Sequence, residues 1–254
     1  MDRLGETRPA GISSNTLRTW GLLFLAAGIF GRSVLQNQVL GVGKLSAQQL
    51  LEVMENNMGA ATAALVLQAM ESCAAPIFAF LLVEGFRHTS NYKKYLLRIL
   101  GVAVLSELPY NLAIGGSLLD MRSRNPVFAM VLGLIVLYFY KRYEAKGAGN
   151  TAIKLAVTLA ALVWNQMLQI GNGICLILLI AVLWAFRKKP LYGNFVGAGV
   201  AIVCTLISPF YLAAPMGFLA VHFYNGERNE SGRVVNYLAY PAMLLLIGAA
   251  AQFI

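Results

Sequence analysis

Ionisable side chains inside apolar stretches are the part of this sequence that could carry out chemistry. Five such residues lie within or at the ends of long hydrophobic segments: Arg32, Glu71, Glu84, Arg98 and Glu107. If those segments cross a membrane, each charge is costly unless it faces other helices and finds a partner. Two interpretations are open: structural ion pairs that fix the helix register, or the lining of a substrate site or proton path.

The expected depths of these residues predict an outer polar layer. With a rise of about 1.5 Å per residue, Arg32, Glu71 and Glu107 reach a similar level, past the middle of the membrane toward the outside. Asn111 follows one helical turn after Glu107 and completes this intramembrane polar cluster. Two carboxylates that share one arginine leave an unbalanced negative charge, which suits a general base or a proton carrier.

A second polar layer is expected close to the cytoplasmic face. Glu84 and Arg98 lie within a few residues of the ends of their apolar stretches, and His88 follows just beyond. Between the two stretches lies a short basic loop with Arg87, Lys93 and Lys94.

The elements that must position these residues are membrane helices. Hydrophobic residues make up 58% of the 254 residues and charged residues 12%, whereas soluble domains average about 45–50% and about 25%. The mean hydropathy is +0.66. A soluble fold of this size could not bury so much apolar surface. We therefore predict an all-α fold, a polytopic bundle whose candidate spans are residues 17–38, 58–86, 94–116, 126–140, 151–170, 173–187, 194–208, 210–225 and 234–254.

The basic residues predict the orientation of this bundle. With the N-terminus inside, fifteen lysines and arginines fall in the cytoplasmic loops and three, Lys44, Arg122 and Arg124, fall outside. This bias predicts nine spans with a cytoplasmic N-terminus and an external C-terminus. We expect residues 1–16 to form a cytoplasmic segment and residues 17–254 a single transmembrane domain. The net charge of +9 then reflects topology and contacts with the lipid bilayer, and no nucleic-acid partner is expected.

Helix breaks and polar connections follow from local sequence. The break at Gly171-Asn172-Gly173 is a strong turn signal, and the one at Ser208-Pro209 is weaker. Residues 41–57 are predicted to contain a short interfacial helix on the outer face, because their leucines and methionine recur at helical spacing. The three cysteines, Cys73, Cys175 and Cys204, lie inside apolar segments without ligand spacing, so no metal is expected.

One stretch of the chain resembles the TraX family. The resemblance is carried by Pro76–Phe86 (PIFAFLLVEGF) with His88-Thr89 after it, by Tyr95–Arg98 (YLLR), and by Ser106–Leu112 (SELPYNL). Asn125–Phe128 and Asn236–Pro241 are similar to later elements of the family. The match is specific over residues 76–140 and is expected to extend across the whole chain.

The resemblance implies an activity and a site. TraX acetylates the N-terminus of conjugative pilin in the bacterial inner membrane. The resemblance therefore implies that this chain is an acetyltransferase with acetyl-CoA as co-substrate and a peptide or pilin-like amine as acceptor. His88 or Glu84 would then act as the general base. Arg98 would stabilise the oxyanion, and the loop cations Arg87, Lys93 and Lys94 would hold the phosphates of CoA.

The sequence departs from the family pattern at three places. The family's Asp-His pair in the first helix is replaced by Gly28–Gly31 (GIFG), and Met243 stands where the family has a late histidine. Glu71-Ser72 replaces the usual arginine before the conserved stretch. Two alternatives therefore stay open: a non-catalytic membrane scaffold or assembly protein that has lost the histidines, and a transporter that carries protons on Glu71 and Glu107.

Overall fold

Helices form the whole of the regular structure in the described part of the chain. The computed structural model describes residues 11–42, 45–119, 122–227 and 233–253. The helices are α1 (Ser14–Phe30), α2 (Ala47–Asn56), α3 (Met58–Ser72), α4 (Ala74–His88), α5 (Tyr92–Gly115), α6 (Val127–Arg142), α7 (Ala148–Met167), α8 (Gly173–Ala185), α9 (Pro190–Val203), α10 (Pro215–His222) and α11 (Arg233–Ala251). Within these ranges no β-strand occurs, which confirms the predicted all-α class.

The helices coincide with the predicted apolar stretches. The first stretch is α1 continued by a π-helical segment, Gly31–Val39, and α3 and α4 run on through Cys73 as one broken helix. The seventh and eighth predicted stretches correspond to α9 and α10. Short 3-10 turns separate these two helices around the predicted break at Ser208-Pro209. The short helix expected within residues 41–57 is α2, whose start is closed by a capping box between Ser46 and Gln49.

Local sequence explains where the helices begin and end. The Asn91 side chain accepts from the Lys94 backbone N–H at 3.0 Å and caps α5, which ends at Gly116 with φ +72°. The predicted turn before α8 contains Asn172 at φ +55°, a left-handed conformation that asparagine tolerates better than most residues.

The packing places α4 and α8 at the centre of the bundle. α8 contacts α4, α6, α7 and α9, and most of its residues are buried. α1 packs on α3 and α4, and α11 packs along α5. At one end, the backbone of Ile12 pairs with Phe223 and Asn225. At the other, Arg124 pairs with Gln169 and Gly171. Within each set, the paired connections are ones that the charge bias predicts to lie on the same side of the membrane.

The exterior of the bundle is strongly apolar. Large side chains such as Leu159, Leu206 and Leu246 are 63%, 88% and 72% exposed, and they recur around the molecule. A soluble monomer rarely exposes so much contiguous apolar surface. Within the described ranges, two helices are long and apolar enough to cross a bilayer: Met58–His88 with 31 residues and Tyr92–Gly115 with 24. These features are those of a membrane protein.

Candidate functional site

One large cavity contains most of the predicted site residues. Its volume is about 880 Å³, and its walls come from α1, α3, α4, α5, α6, α8 and α11 together with the connections at both ends of the bundle. It reaches from Asn91 and Asn236 at one end to Asn172 and Ser208 at the other. The cavity therefore connects the predicted inner polar layer with the predicted outer one.

The inner layer is built around Glu84 on α4. Its Oε1 contacts Nε2 of His88 at 2.9 Å, and its Oε2 accepts from Arg87 at 3.1 Å. These residues meet because positions three and four apart share one face of a helix. The Glu84 side chain is 12% exposed and that of His88 44%, and both line the cavity. The carboxylate can thus orient the imidazole while the ring stays accessible.

Arg98 reaches the same cavity from α5. Over the described ranges its guanidinium has no hydrogen bond or ion pair, so its charge is available to a ligand. Arg98 was predicted to lie in one polar layer with Glu84 and His88. The structure brings all three to one cavity wall without an ion pair between Arg98 and Glu84.

The three cations predicted to bind CoA phosphates do not share one environment. Lys94 lines the cavity, whereas Arg87 and Lys93 do not, and Arg87 is engaged by Glu84. The structure adds Arg18 of α1 to the cavity wall, where it donates to Asn15 at 2.9 Å. The charge pattern had counted Arg18 among the fifteen basic residues on the cytoplasmic side.

The outer layer contains a buried ion pair between Arg32 and Glu71. Arg32 lies in the π-helical segment that continues α1, and Glu71 lies at the end of α3. Their side chains are 22% and 8% exposed, and Nε of Arg32 is buried and has no hydrogen-bond partner among the residues that the structure describes. Gly28 makes room for the pair, since a Cβ at that position would overlap the Glu71 side chain. This predicted contact is present and forms part of the cavity wall.

Glu107 does not join Arg32, contrary to the expected three-member layer. Its carboxylate accepts from Arg124 at 3.1 Å, from the Asn125 backbone N–H at 3.2 Å and from the Asn125 side chain at 2.6 Å. The physical reason is helix rotation: equal depth does not place two side chains on facing sides. Glu107 thereby anchors the connection into α6. The wall of the main cavity does not include it.

Asn111 also lies apart from the ion pair. It is buried, and its Nδ2 donates to the Leu118 carbonyl at 3.3 Å, which closes the end of α5. The predicted cluster of four residues is therefore divided in two. Arg32 and Glu71 face the cavity, while Glu107 and Asn111 stabilise the outer end of α5.

Tyrosines that were not predicted as site residues form part of the cavity wall. Tyr211 donates to the Asn172 carbonyl at 3.1 Å, and Tyr237 and Tyr240 of α11 line the wall. Tyr240 is 8% exposed. The available signal was the tyrosine-proline segment at the start of the last apolar stretch, but an aromatic residue in such a stretch usually belongs to the core.

Comparison with known proteins identifies the family. The sequence pattern of the TraX family, described as TraX protein, matches residues 26–250. The chain is 25% identical over 202 residues to a protein of Dichelobacter nodosus named "Probable fimbrial assembly protein FimC, serogroup H1". The aligned region covers 70% of this chain and 80% of that protein. No solved structure gives a significant match. Because the family pattern extends over most of the chain, this protein belongs to the TraX family.

Proposed function

We propose that this protein is a multi-pass protein of the bacterial inner membrane that transfers an acetyl group from acetyl-CoA to an amine of a peptide or pilin-like subunit. The observation that carries the proposal is the shared cavity wall of Glu84, His88, Lys94 and Arg98. A carboxylate-oriented imidazole beside unpaired cations suits the reaction of an anionic thioester with an amine.

The proposed topology has nine crossings, a cytoplasmic N-terminus and an external C-terminus. This topology is supported by three observations on the described residues: helical segments lie in each of the nine predicted stretches, large apolar side chains are exposed on the exterior, and connections assigned to one side pair with each other. In this orientation Glu84, His88 and Arg98 lie at the cytoplasmic end. Acetyl-CoA, which is cytoplasmic, would enter there.

Binding of the donor would depend on the cations of the cavity. Arg18, Lys94, Arg98 and Arg32 line its wall together with two carboxylates, Glu71 and Glu84, so that the cavity carries an excess of positive charge. Lysine and arginine suit the phosphates of CoA. Lys94 is the best placed of the predicted CoA-binding cations, since it lines the cavity and its side chain has no ion-pair partner in the described ranges.

The transfer itself would use His88 as the general base. The amine nitrogen attacks the thioester carbonyl carbon, His88 removes a proton from that nitrogen, and Glu84 stabilises the resulting imidazolium. Arg98 stabilises the oxyanion of the tetrahedral intermediate. When the carbon–sulfur bond breaks, the CoA thiolate leaves and takes the proton from His88. The products are an acetylated amine and CoA.

A second function is favoured by the fimbrial relative. Its name describes assembly and no chemistry, and this chain lacks the histidines that the family pattern has at Gly28–Gly31 and Met243. A non-catalytic assembly protein would retain the fold and bind fimbrial subunits. This alternative predicts subunit binding by a protein that releases no CoA from acetyl-CoA.

The test of the proposal is acetyl-CoA turnover by the purified full chain in mild detergent. Labelled acetyl-CoA is added with synthetic peptides that carry a free N-terminal amine, and the same peptides with a blocked N-terminus serve as the matched control. The proposal predicts release of CoA thiol and label on the free-amine peptides alone. Folded protein that binds the peptides without releasing CoA would contradict it and favour the assembly function.

A further inference from the structure

A second cavity lies between the cytoplasmic ends of α6, α7 and α8. It measures about 280 Å³ and is lined by Tyr140, Glu144, Lys154, Trp184, Ala185, Arg187 and Lys188. None of these residues lines the main cavity. The two sites are therefore chemically independent.

The lining of this cavity carries uncompensated positive charge. Arg187 forms an ion pair with Glu144, lies over the Trp184 ring at 4.4 Å, and donates to the Trp184 carbonyl at 2.9 Å. These contacts neutralise one arginine and fix it. The side chains of Lys154 and Lys188 have no hydrogen-bond or ion-pair partner in the described part of the chain, so both ammonium groups are free to bind an anion.

The surface beside the cavity is apolar and faces outward. α7 packs against α6 and α8, and it exposes Leu155 and Leu159, which are 59% and 63% exposed. Leu155 directly follows Lys154 in the sequence, and Leu159 lies about one turn further along α7. A molecule with an anionic head and hydrocarbon tails could place its head between the lysines and its tails on this surface.

We propose that this cavity binds a phosphate group, supplied either by the headgroup of an anionic phospholipid or by a soluble phosphate ester. Basic pockets between helices at the cytoplasmic face recognise such headgroups. Two free lysines supply the positive charge beside the fixed Arg187, and the buried Trp184 is part of the lining. The site does not depend on the acetyltransferase proposal.

Native mass spectrometry of the full chain in detergent tests the site with three probes: phosphatidylglycerol, phosphatidylcholine and glycerol phosphate. The test variant is Lys154→Gln/Lys188→Gln. The matched control, Lys141→Gln/Lys146→Gln, removes the same charge from the same end but outside the cavity. A charge-conserving variant, Lys154→Arg/Lys188→Arg, shows whether a loss follows charge or folding.

The proposal predicts that the wild-type protein and the control retain phosphatidylglycerol in preference to phosphatidylcholine. Affinity should fall about thirty-fold in the glutamine variant, at about 1 kcal/mol for each basic residue, and recover in the arginine variant. Binding of glycerol phosphate with the same dependence would identify a soluble ester as the source. Equal retention of both lipids, or equal binding by the glutamine variant and the control, would overturn the site.

Discussion

Gly28 of α1 lies directly against the side chain of Glu71 of α3, so closely that a methyl group on residue 28 would overlap the carboxylate. The absence of a side chain at position 28 thus permits the ion pair between Glu71 and Arg32. Two departures from the family pattern, Gly28 in the first helix and Glu71 before the stretch Pro76–Phe86, are therefore in contact.

Gly28→Ala is predicted to destabilise the protein by about 1–3 kcal/mol, because overpacking forces the α1–α3 contact apart. Gly199→Ala is the matched control, since a Cβ on Gly199 meets no atom within 4 Å. Alanine is the better helix former, so the control should be neutral or slightly stabilised. Thermal unfolding in detergent measures both. A Gly28→Ala protein as stable as the Gly199→Ala protein would show that the close contact does not constrain the fold.

Breaking the Arg32–Glu71 pair on one side is predicted to cost about 3–5 kcal/mol, because it leaves a buried charge without its partner. Arg32→Met and Glu71→Gln should each lower the unfolding temperature. The double variant Arg32→Met/Glu71→Gln should lose less than the sum of the two, as expected for residues in direct contact. Additive losses in this double-mutant cycle would argue against the pair.

Glu107 is predicted to have a structural role. Its three hydrogen bonds to Arg124 and Asn125 fix the connection into α6, and hydrogen bonds to a charged group are each worth about 1.5–3 kcal/mol. Glu107→Gln should therefore lower the free energy of unfolding by about 1.5–3 kcal/mol. The same change at the exposed Glu52 should leave the free energy of unfolding unaltered. Reconstituted liposomes address the transporter alternative: proton-dependent flux that disappears in Glu107→Gln, at unchanged stability, would contradict the structural role.

The loop cations are predicted to differ in their effect on acetyl-CoA binding. Lys94 and Arg98 line the main cavity and Lys93 does not. Lys94→Gln should raise KM for acetyl-CoA about tenfold, the equivalent of about 1.4 kcal/mol. Lys93→Gln, a change of the same kind one residue away, should leave KM unaltered. Equal effects at positions 93 and 94 would mean that general surface charge, and not the cavity, attracts the donor.

The sequence predicted the helical elements well and the site only in part. The helices and their main breaks follow from apolar stretches and turn residues, and the Arg32–Glu71 contact follows from depth along two neighbouring helices. Depth could not place Glu107, because height along a helix does not give the direction in which a side chain points. That direction is set by the packing of whole helices, which a single sequence does not determine.

Other features depend on contacts distant in sequence. Arg18 lines the cavity because α1 packs on α3 and α4, and Tyr240 lines it because α11 packs near α1 and α5. The Glu84–His88 contact, by contrast, lies within one helix and was predictable from spacing. The nine crossings and the sides of the termini stay predictions: two helices in the described ranges meet the length and hydropathy expected of a span.

The most direct test of the account uses the two histidines of the chain, His88 in the main cavity and His222 outside it. Label transfer from acetyl-CoA to a free-amine peptide is measured for the wild-type protein, His88→Ala and His222→Ala, all shown to be folded. The account predicts transfer by the wild type, a loss of about 100-fold or more in His88→Ala, as is usual when a general base is removed, and full activity in His222→Ala. Transfer that survives in His88→Ala, or is absent from the folded wild type, would contradict it.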